Sequence, residues 1–172
     1  MGLTRINNQA LPSGTVLQVK SAESTATQTI STNAKVDGTG LTVTLTPSSS
    51  SSKFLIMANV HGGAENTGWY GTHGFLVRVI GATSTDLFIG DASGNRSRVT
   101  LDLSRNPSSE NMGNDSITYL DSPATTSNVT YKLQFNSVQN VAWTLNGWDY
   151  SDSDDSQRSR AASSITVMEI AG

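Results

Sequence analysis

The chain contains no cysteine among its 172 residues. Disulfides, thiolate metal sites and cysteine nucleophiles are therefore excluded together. Small secreted domains more often carry disulfides, so folding in a reducing cytoplasm is favoured. The sequence also lacks an apolar signal-peptide core at its start and any apolar run long enough to cross a bilayer, and we expect no membrane insertion.

Charge is scarce as well, because only 15% of the residues are charged and the net charge is −3. The 11 lysines and arginines are spread thinly, so no nucleic-acid partner is expected, since phosphate binding needs a basic patch. Hydrophobic residues reach only 35%, yet β-branched runs are frequent, which argues against disorder. Serine, threonine, asparagine and glycine fill the difference, as is typical of short strands joined by turns.

The clearest structural pattern lies between residues 41 and 61. In Leu41–Thr46 apolar residues alternate with threonine, which is typical of a strand with one buried face. Pro47 and five consecutive serines interrupt the pattern, and a second apolar run follows at Lys53–His61. This second run is apolar on both faces, so we expect its strand to lie inside a sandwich or at an interface.

Similar segments recur along the chain, with turn residues roughly every eight to twelve positions. No stretch shows apolar residues at helical spacing with caps, and no internal repeat is visible. The sequence predicts an all-β fold, a single antiparallel β-sandwich, with jelly-roll order favoured over an immunoglobulin-like order. Strands are expected at 15–20, 28–31, 41–46, 53–61, 74–80, 86–90, 97–103, 117–121, 129–136, 141–146 and 165–170.

Two segments are expected to lie outside the strands. Residues 1–13 are polar and predict an extended N-terminal arm, which leaves 14–172 for the sandwich domain. Asp37–Gly40 predicts a tight turn, and Gly62 and Gly63 are expected to open a glycine-rich loop.

The densest acidic cluster is Asp149–Asp155. Calcium takes roughly six to eight oxygen ligands, which makes Asp152, Asp154 and Asp155 weak candidates for a metal site. The segment lacks the glycine and the terminal glutamate of an EF-hand loop, so a solvated loop is the favoured interpretation. We expect no metal and no cofactor.

No catalytic arrangement stands out. His61 and His73 have no second ligand or base at a defined spacing, and they are interpreted as surface or interface residues. No Gly-x-Ser-x-Gly elbow is present. A glycosidase needs two carboxylates across a cleft, but the candidates lie at strand edges or in turns, where aspartate is common for backbone reasons. These candidates are Asp86, Asp91, Asp102, Glu110 and Asp121. The sequence predicts a protein that is not an enzyme.

Aromatic residues offer one candidate binding site. Trp69 and Tyr70 lie in a glycine-flanked segment and could form a platform for sugar rings. The alternative is core or subunit packing. Trp143 lies within a strand run and is expected to be buried.

Three stretches resemble virion structural proteins of tailed phages and cyanophages. Residues 3–19 resemble the lead-in of many fibre and virion proteins, and Thr46–Met57 is similar to a serine turn and the strand after it in the same group. Residues 119–134 together with 164–170 complete the likeness. The heads of such proteins are compact β-sandwiches that pack as trimers.

The resemblance implies a homotrimer in the virion, made in the host cytoplasm and bound to other virion proteins through its arm. Because no repeat shaft is present, capsid decoration or a short head fibre is favoured. The alternative is a tail-fibre knob that recognises a host surface glycan through Trp69 and Tyr70. The candidate anchoring residues are Leu3, Ile6 and Leu11. The candidates for the core or the trimer interface are Leu17, Val19, Phe54, Ile56, Phe75 and Val77.

Overall fold

The computed structural model describes residues 11–64, 71–103, 112–148, 156 and 158–172. These residues form eleven strands and a 3-10 turn at Val138–Asn140, with no α-helix in the described ranges. The all-β prediction is confirmed. The strands are β1 (Val16–Ser24), β2 (Gln28–Ile30), β3 (Val36–Leu45), β4 (Lys53–Ala64), β5 (Thr72–Ile80), β6 (Thr83–Leu87), β7 (Leu101–Asp102), β8 (Gly113–Asp121), β9 (Val129–Ser137), β10 (Trp143–Leu145) and β11 (Ser163–Ile170).

The strands form two sheets that pack face to face. Sheet A has the order β1-β11-β4-β10-β2, and β8 pairs with the other side of β4. Sheet B has the order β3-β9-β5-β6, and β7 also pairs with β5. Every pair is antiparallel. The predicted sandwich is confirmed, whereas the jelly-roll order stays a prediction.

The core lies between the sheets and follows the predicted alternation. In β9, apolar residues at every second position point inward, while the threonine, lysine and glutamine between them point outward. Burial of such side chains contributes roughly 1.5–3 kcal/mol each to folding. The buried core residues are Ile30, Leu41, Val43, Leu45, Phe54, Ile56, Ala58, Val60, Leu76, Leu87, Leu103, Ile117, Val129, Tyr131, Leu133, Phe135, Trp143, Leu145, Ile165 and Val167.

The prediction of a loop at Gly62 and Gly63 is wrong, because β4 continues to Ala64. The reason is the packing of Trp143, which is buried as predicted and lies on Gly62. A Cβ atom at Gly62 would lie 2.1 Å from Cζ2 of Trp143. The glycine therefore makes room for the indole rather than for a turn.

The tight turn predicted at Asp37–Gly40 is also wrong, because these residues belong to β3. The register between β3 and β9 shifts between Asp37 and Thr42, which is the signature of a β-bulge. Gly40 has a φ of +75°, and a Cβ atom at Gly38 would lie 2.6 Å from the ring of Phe135. The glycines therefore permit a bulge over a core aromatic ring.

Three other predicted strands differ from the observed strands in their bounds. The strand expected at 97–103 is reduced to the two residues of β7, and the one expected at 86–90 lies at Thr83–Leu87. The strand expected at 117–121 begins earlier, at Gly113.

The segment that joins the arm to the domain is part of the hydrogen-bonded structure. The amide of Thr15 donates to the carbonyl of Pro12, and the amide of Gly14 donates to the carbonyl of Ala171 over 2.8 Å. The chain therefore enters β1 at the end of the sandwich where the serine turn, residues 46–52, joins β3 to β4. We call this the serine-turn end.

Candidate interaction surface

Sheet A carries a row of apolar side chains on its outer face, the face that points away from sheet B. The strand register places Val19 opposite Met168, Met168 opposite Leu55, and Leu55 opposite Leu120. The row therefore crosses the four neighbouring strands β1, β11, β4 and β8. Val19 and Leu120 at its ends are 53% and 49% exposed, and the two residues between them are half-buried. We call these four residues the apolar row.

The apolar row is part of a larger patch toward the serine-turn end. Val16 and Ile170 pair with each other one step closer to that end, and Met57 lies one step further away on β4. Contiguous apolar patches on soluble proteins mark interaction sites more often than isolated exposed residues do. The other side chains on the outer sides of these four strands are polar or charged, and Lys53 pairs directly with Ile170. They are Ser21, Glu23, Lys53, Asn59, His61, Asn114, Ser116, Thr118, Ser164 and Thr166.

The outer face of sheet B differs, because two of its apolar residues, Phe75 and Val77, are buried by the same chain, and Val79 is half-buried. Phe75 points away from the core, yet it is only 5% exposed. The Nζ atom of Lys35 lies 3.9 Å from the centre of its ring, a cation–π contact. The same Nζ is 2.5 Å from Oδ2 of Asp86, so the ion pair holds the lysine over the ring.

Val77 lies on the same face and is covered in a similar way. It is 1% exposed and sits between Lys132 of β9 and Asp86 of β6. Lys132 Nζ is 2.7 Å from Oδ1 of Asp37, and Gln134 donates a hydrogen bond to the same carboxylate. Burial alone would raise the pKa of Asp37, but these two partners hold it below its ordinary value. The apolar character of β5 on both faces is thus satisfied within one chain.

The structure places the predicted interface and core residues in four different environments. Phe54 and Ile56 are fully buried between the sheets, and Phe75 and Val77 are covered on sheet B. Val19 belongs to the apolar row. Leu17 is half-buried near the serine turn. The remaining candidates lie outside the described residues, namely Leu3, Ile6, Trp69, Tyr70, Asp152, Asp154 and Asp155.

A cavity of about 280 Å³ opens at the serine-turn end. Its walls combine serine residues with two leucines from the start of the domain. Leu11, a candidate anchoring residue, is therefore packed at the point where the described chain begins. The lining residues are Leu11, Leu17, Ser48, Ser49, Ser51, Ser52, Ala171 and Gly172.

Beside this cavity the serine turn holds a buried carboxylate. Glu169 of β11 is 0% exposed. Its oxygens accept hydrogen bonds from the Ser48 amide at 2.6 Å, the Ser52 hydroxyl at 2.7 Å and the Gln18 side chain at 2.5 Å. Burial alone would raise the pKa of Glu169, but these hydrogen bonds outweigh it and hold the pKa below its ordinary value.

A second buried carboxylate joins the two sheets. Asp121 of β8 accepts hydrogen bonds from Arg78 of β5 at 2.8 and 3.0 Å. It also accepts a hydrogen bond from the hydroxyl of Tyr131 at 2.8 Å. Burial and this hydrogen bond raise the pKa of Tyr131 far above its ordinary value. Two of the carboxylates considered for a glycosidase site, Asp86 and Asp121, thus each form an ion pair with a basic side chain.

Sequence reasoning missed both carboxylate clusters, although the register contained a signal. Glu169 follows Ile165 and Val167 at alternate positions, so it shares their inward face. Asp121 follows Ile117 on the inward face of β8 in the same way. A carboxylate at a core position needs hydrogen-bond donors or a cation.

The two histidines lie on opposite outer faces of the sandwich. Nε2 of His61 on sheet A is 2.9 Å from Nδ2 of Asn114. His73 on sheet B is buried, and burial lowers its pKa, although Asp102 and Asn136 oppose the shift.

Among the described residues, no three His, Cys, Asp or Glu side chains are grouped closely enough to hold a metal ion. In those same ranges, no helix has the length and apolar character needed to cross a membrane.

The chain matches no protein-family model, and no curated protein is significantly similar to it. The likeness to virion proteins stays a prediction from three stretches of sequence.

Proposed function

We propose that this chain is a non-enzymatic structural protein of a phage virion, a homotrimeric β-sandwich that decorates the capsid or forms a short head fibre. Its N-terminal arm fixes it to other virion proteins, and its sandwich is exposed outward. Its activity consists of binding: to copies of itself, and to the particle.

The observation that supports self-association is the difference between the two outer faces. On sheet B the apolar residues Phe75 and Val77 are covered by lysines of the same chain. On sheet A, Val19 and Leu120 remain about half exposed at the ends of one row. Burial of apolar area contributes roughly 25 cal/mol per Å², so contact between copies would be favourable on sheet A.

The virion setting is supported by the three stretches that resemble phage proteins. The described chain begins at residue 11, which lies beside Leu17 at the serine-turn end of the sandwich. Ten further residues precede this point. At roughly 3.3 Å per residue, an extended arm could reach about 33 Å to a second protein.

The anchoring role is tested by deleting residues 1–10 and mixing the purified protein with particles that lack it. The deletion keeps Pro12 and its hydrogen bond to Thr15, so the domain boundary is left intact. We expect the shortened chain to keep the oligomeric mass of the full chain but to fail to co-sediment with particles. A shortened chain that still co-sediments would refute the anchoring role.

A further inference from the structure

In the four-strand part of sheet A that carries the apolar row, the outer strands β1 and β8 are edges of equal length. β1 and β8 each contain nine residues. No described residue pairs with the outer edge of either strand. Long unpaired edges are templates for pairing with another chain, and proteins commonly shorten, bend or charge them. Among the other edge strands, β2, β6 and β7 are shorter, with three, five and two residues. The edge strand of sheet B, β3, has ten residues, but its register is interrupted between Asp37 and Thr42.

The directions of these two edges suit pairing between copies. β1 and β4 both run antiparallel to β11, and β8 runs antiparallel to β4. β1 and β8 of one subunit therefore run in opposite directions. A rotation about an axis parallel to the strands keeps those directions, so β1 of one copy meets β8 of the next as an antiparallel pair.

The apolar row suggests the register of this pair. If Val19 of one copy lies opposite Leu120 of the next, the row continues from subunit to subunit. The same register places Ser21 opposite Thr118 and Glu23 opposite Ser116. All six of these side chains are exposed in the single chain. The pairing sets an apolar residue against an apolar one, and a carboxylate against a hydroxyl donor.

One irregular position and one residue that already has a partner in the single chain fall outside the proposed pair. The register shift in β1 lies between Val16 and Gln18, before the paired segment. Asp115 of β8 makes another interaction and lies beyond its other end. The pair therefore comprises residues 19–23 of one copy and 116–120 of the next.

The width of the sheet indicates how many copies close the ring. Four strands at about 4.8 Å spacing give a face about 19 Å wide, and three such faces place each sheet about 5.5 Å from the axis. Facing sheets normally pack about 10 Å apart, or about 5 Å from their midplane. Three copies thus leave an axis that side chains can fill, whereas four would place each sheet about 10 Å away.

At the level of the apolar row, the residues nearest such an axis are apolar. The midline of the face runs between β11 and β4, which carry Met168, Leu55 and Met57 on their outer sides. The same two strands carry Lys53 on one side of that level, and Thr166, Asn59 and Ser164 on the other. We propose that three copies join β1 edge to β8 edge, so that their A sheets form a three-sided prism with the three apolar residues on its axis. This inference rests on the proposed homotrimer and adds the contact that builds it.

The test uses the absence of native cysteine. Ser21→Cys and Thr118→Cys are introduced together in the full-length chain, because directly opposed residues have Cβ atoms about 4.5–5.5 Å apart, close to disulfide range. After mild oxidation, we expect non-reducing gels to show linked chains up to three. Ser21→Cys with Ser84→Cys is the matched control, since Ser84 is exposed on the outer face of sheet B and lies on β6, away from β1.

A variant with one introduced cysteine shows whether β1 contacts β1 of another copy. A chain with only Ser21→Cys can form linked dimers but no linked trimers. Abundant dimers from this variant would instead indicate contact of β1 with β1 and would overturn the proposal. If circular dichroism shows that the first pair does not fold, Glu23→Cys with Ser116→Cys tests the same register.

The failure of this inference differs from the failure of the proposed function. A chain that light scattering finds to be trimeric, but that gives no more linked trimer than the control pair, would overturn the prism alone. A chain that light scattering finds to be monomeric would overturn both the prism and the proposed homotrimer.

Discussion

Nη1 of Arg78 lies 2.8 Å from Oδ1 of Asp121, and this ion pair joins β5 of sheet B to β8 of sheet A. Within the described residues β8 pairs with one strand only, β4. The hydroxyl of Tyr131 makes a second link to the same carboxylate. The cluster therefore holds in place the strand whose outer edge we propose as a contact between copies.

Replacement of Asp121 by asparagine should destabilise the fold. The change leaves the guanidinium of Arg78 largely buried without its counterion, which costs about 3 kcal/mol in comparable cases. Urea unfolding followed by circular dichroism measures the free energy of unfolding. Asp86→Asn is the control, because its ion pair with Lys35 is about one-third exposed and should contribute less than about 1 kcal/mol. Equal losses in the two variants would contradict this role.

Glu169→Gln should lower stability near neutral pH, by about 1–3 kcal/mol, because the amide repels one of the donors around it. The pKa of Glu169 is below its ordinary value of 4.5 in the folded chain. The carboxylate therefore stabilises the fold above that pH, and the contribution is lost as pH falls through the lower, folded value.

The melting temperatures of the native chain and the variant should thus differ most above pH 4.5 and converge in more acidic buffer. Asp91→Asn, at an exposed loop position away from the proposed contact, should change the melting temperature little at any pH. A constant gap between the native chain and Glu169→Gln down to about pH 2 would show that the carboxylate charge does not matter.

Lys35→Ala should expose the ring of Phe75 and lower stability by about 1 kcal/mol through loss of the cation–π contact and of packing. The oligomeric mass should stay the same, because the outer face of sheet B takes no part in the proposed contact. Light scattering measures the oligomeric mass of the variant. A change in the oligomeric mass would mean that the outer face of sheet B takes part in the contact between copies.

Lysine at either end of the apolar row should weaken association. Val19→Lys and Leu120→Lys each place a charge where two copies would meet, and burial of an unpaired charge is costly. We expect each variant to dissociate at concentrations where the native chain stays assembled. Thr42→Lys is the control on sheet B, and equal dissociation of this control would count against the proposed surface.

The sequence predicts part of this architecture well, and the reason is local. β9 alternates apolar and polar residues without interruption, so its inward face follows from periodicity alone. At Gly38 and Gly62 the sequence predicts turns, because glycine favours them. In the fold, each glycine makes room for a core aromatic ring that is distant in sequence. Local patterns contain no information about that ring.

The candidate interaction surface also depends on contacts between residues that are distant in sequence. Leu55 and Phe75 both lie on the outer side of strands that are apolar on both faces. Only the folded chain shows that Lys35 covers Phe75, while the row through Leu55 ends in exposed residues. Which apolar face is left for a partner depends on contacts between distant segments, so sequence alone could not distinguish the two.

The most direct test of the account is the mass of the purified, full-length protein in dilute buffer, measured by multi-angle light scattering. The account predicts three times the mass of one chain, with a lower mass for Leu120→Lys. A native protein that elutes with the mass of a single chain would contradict it.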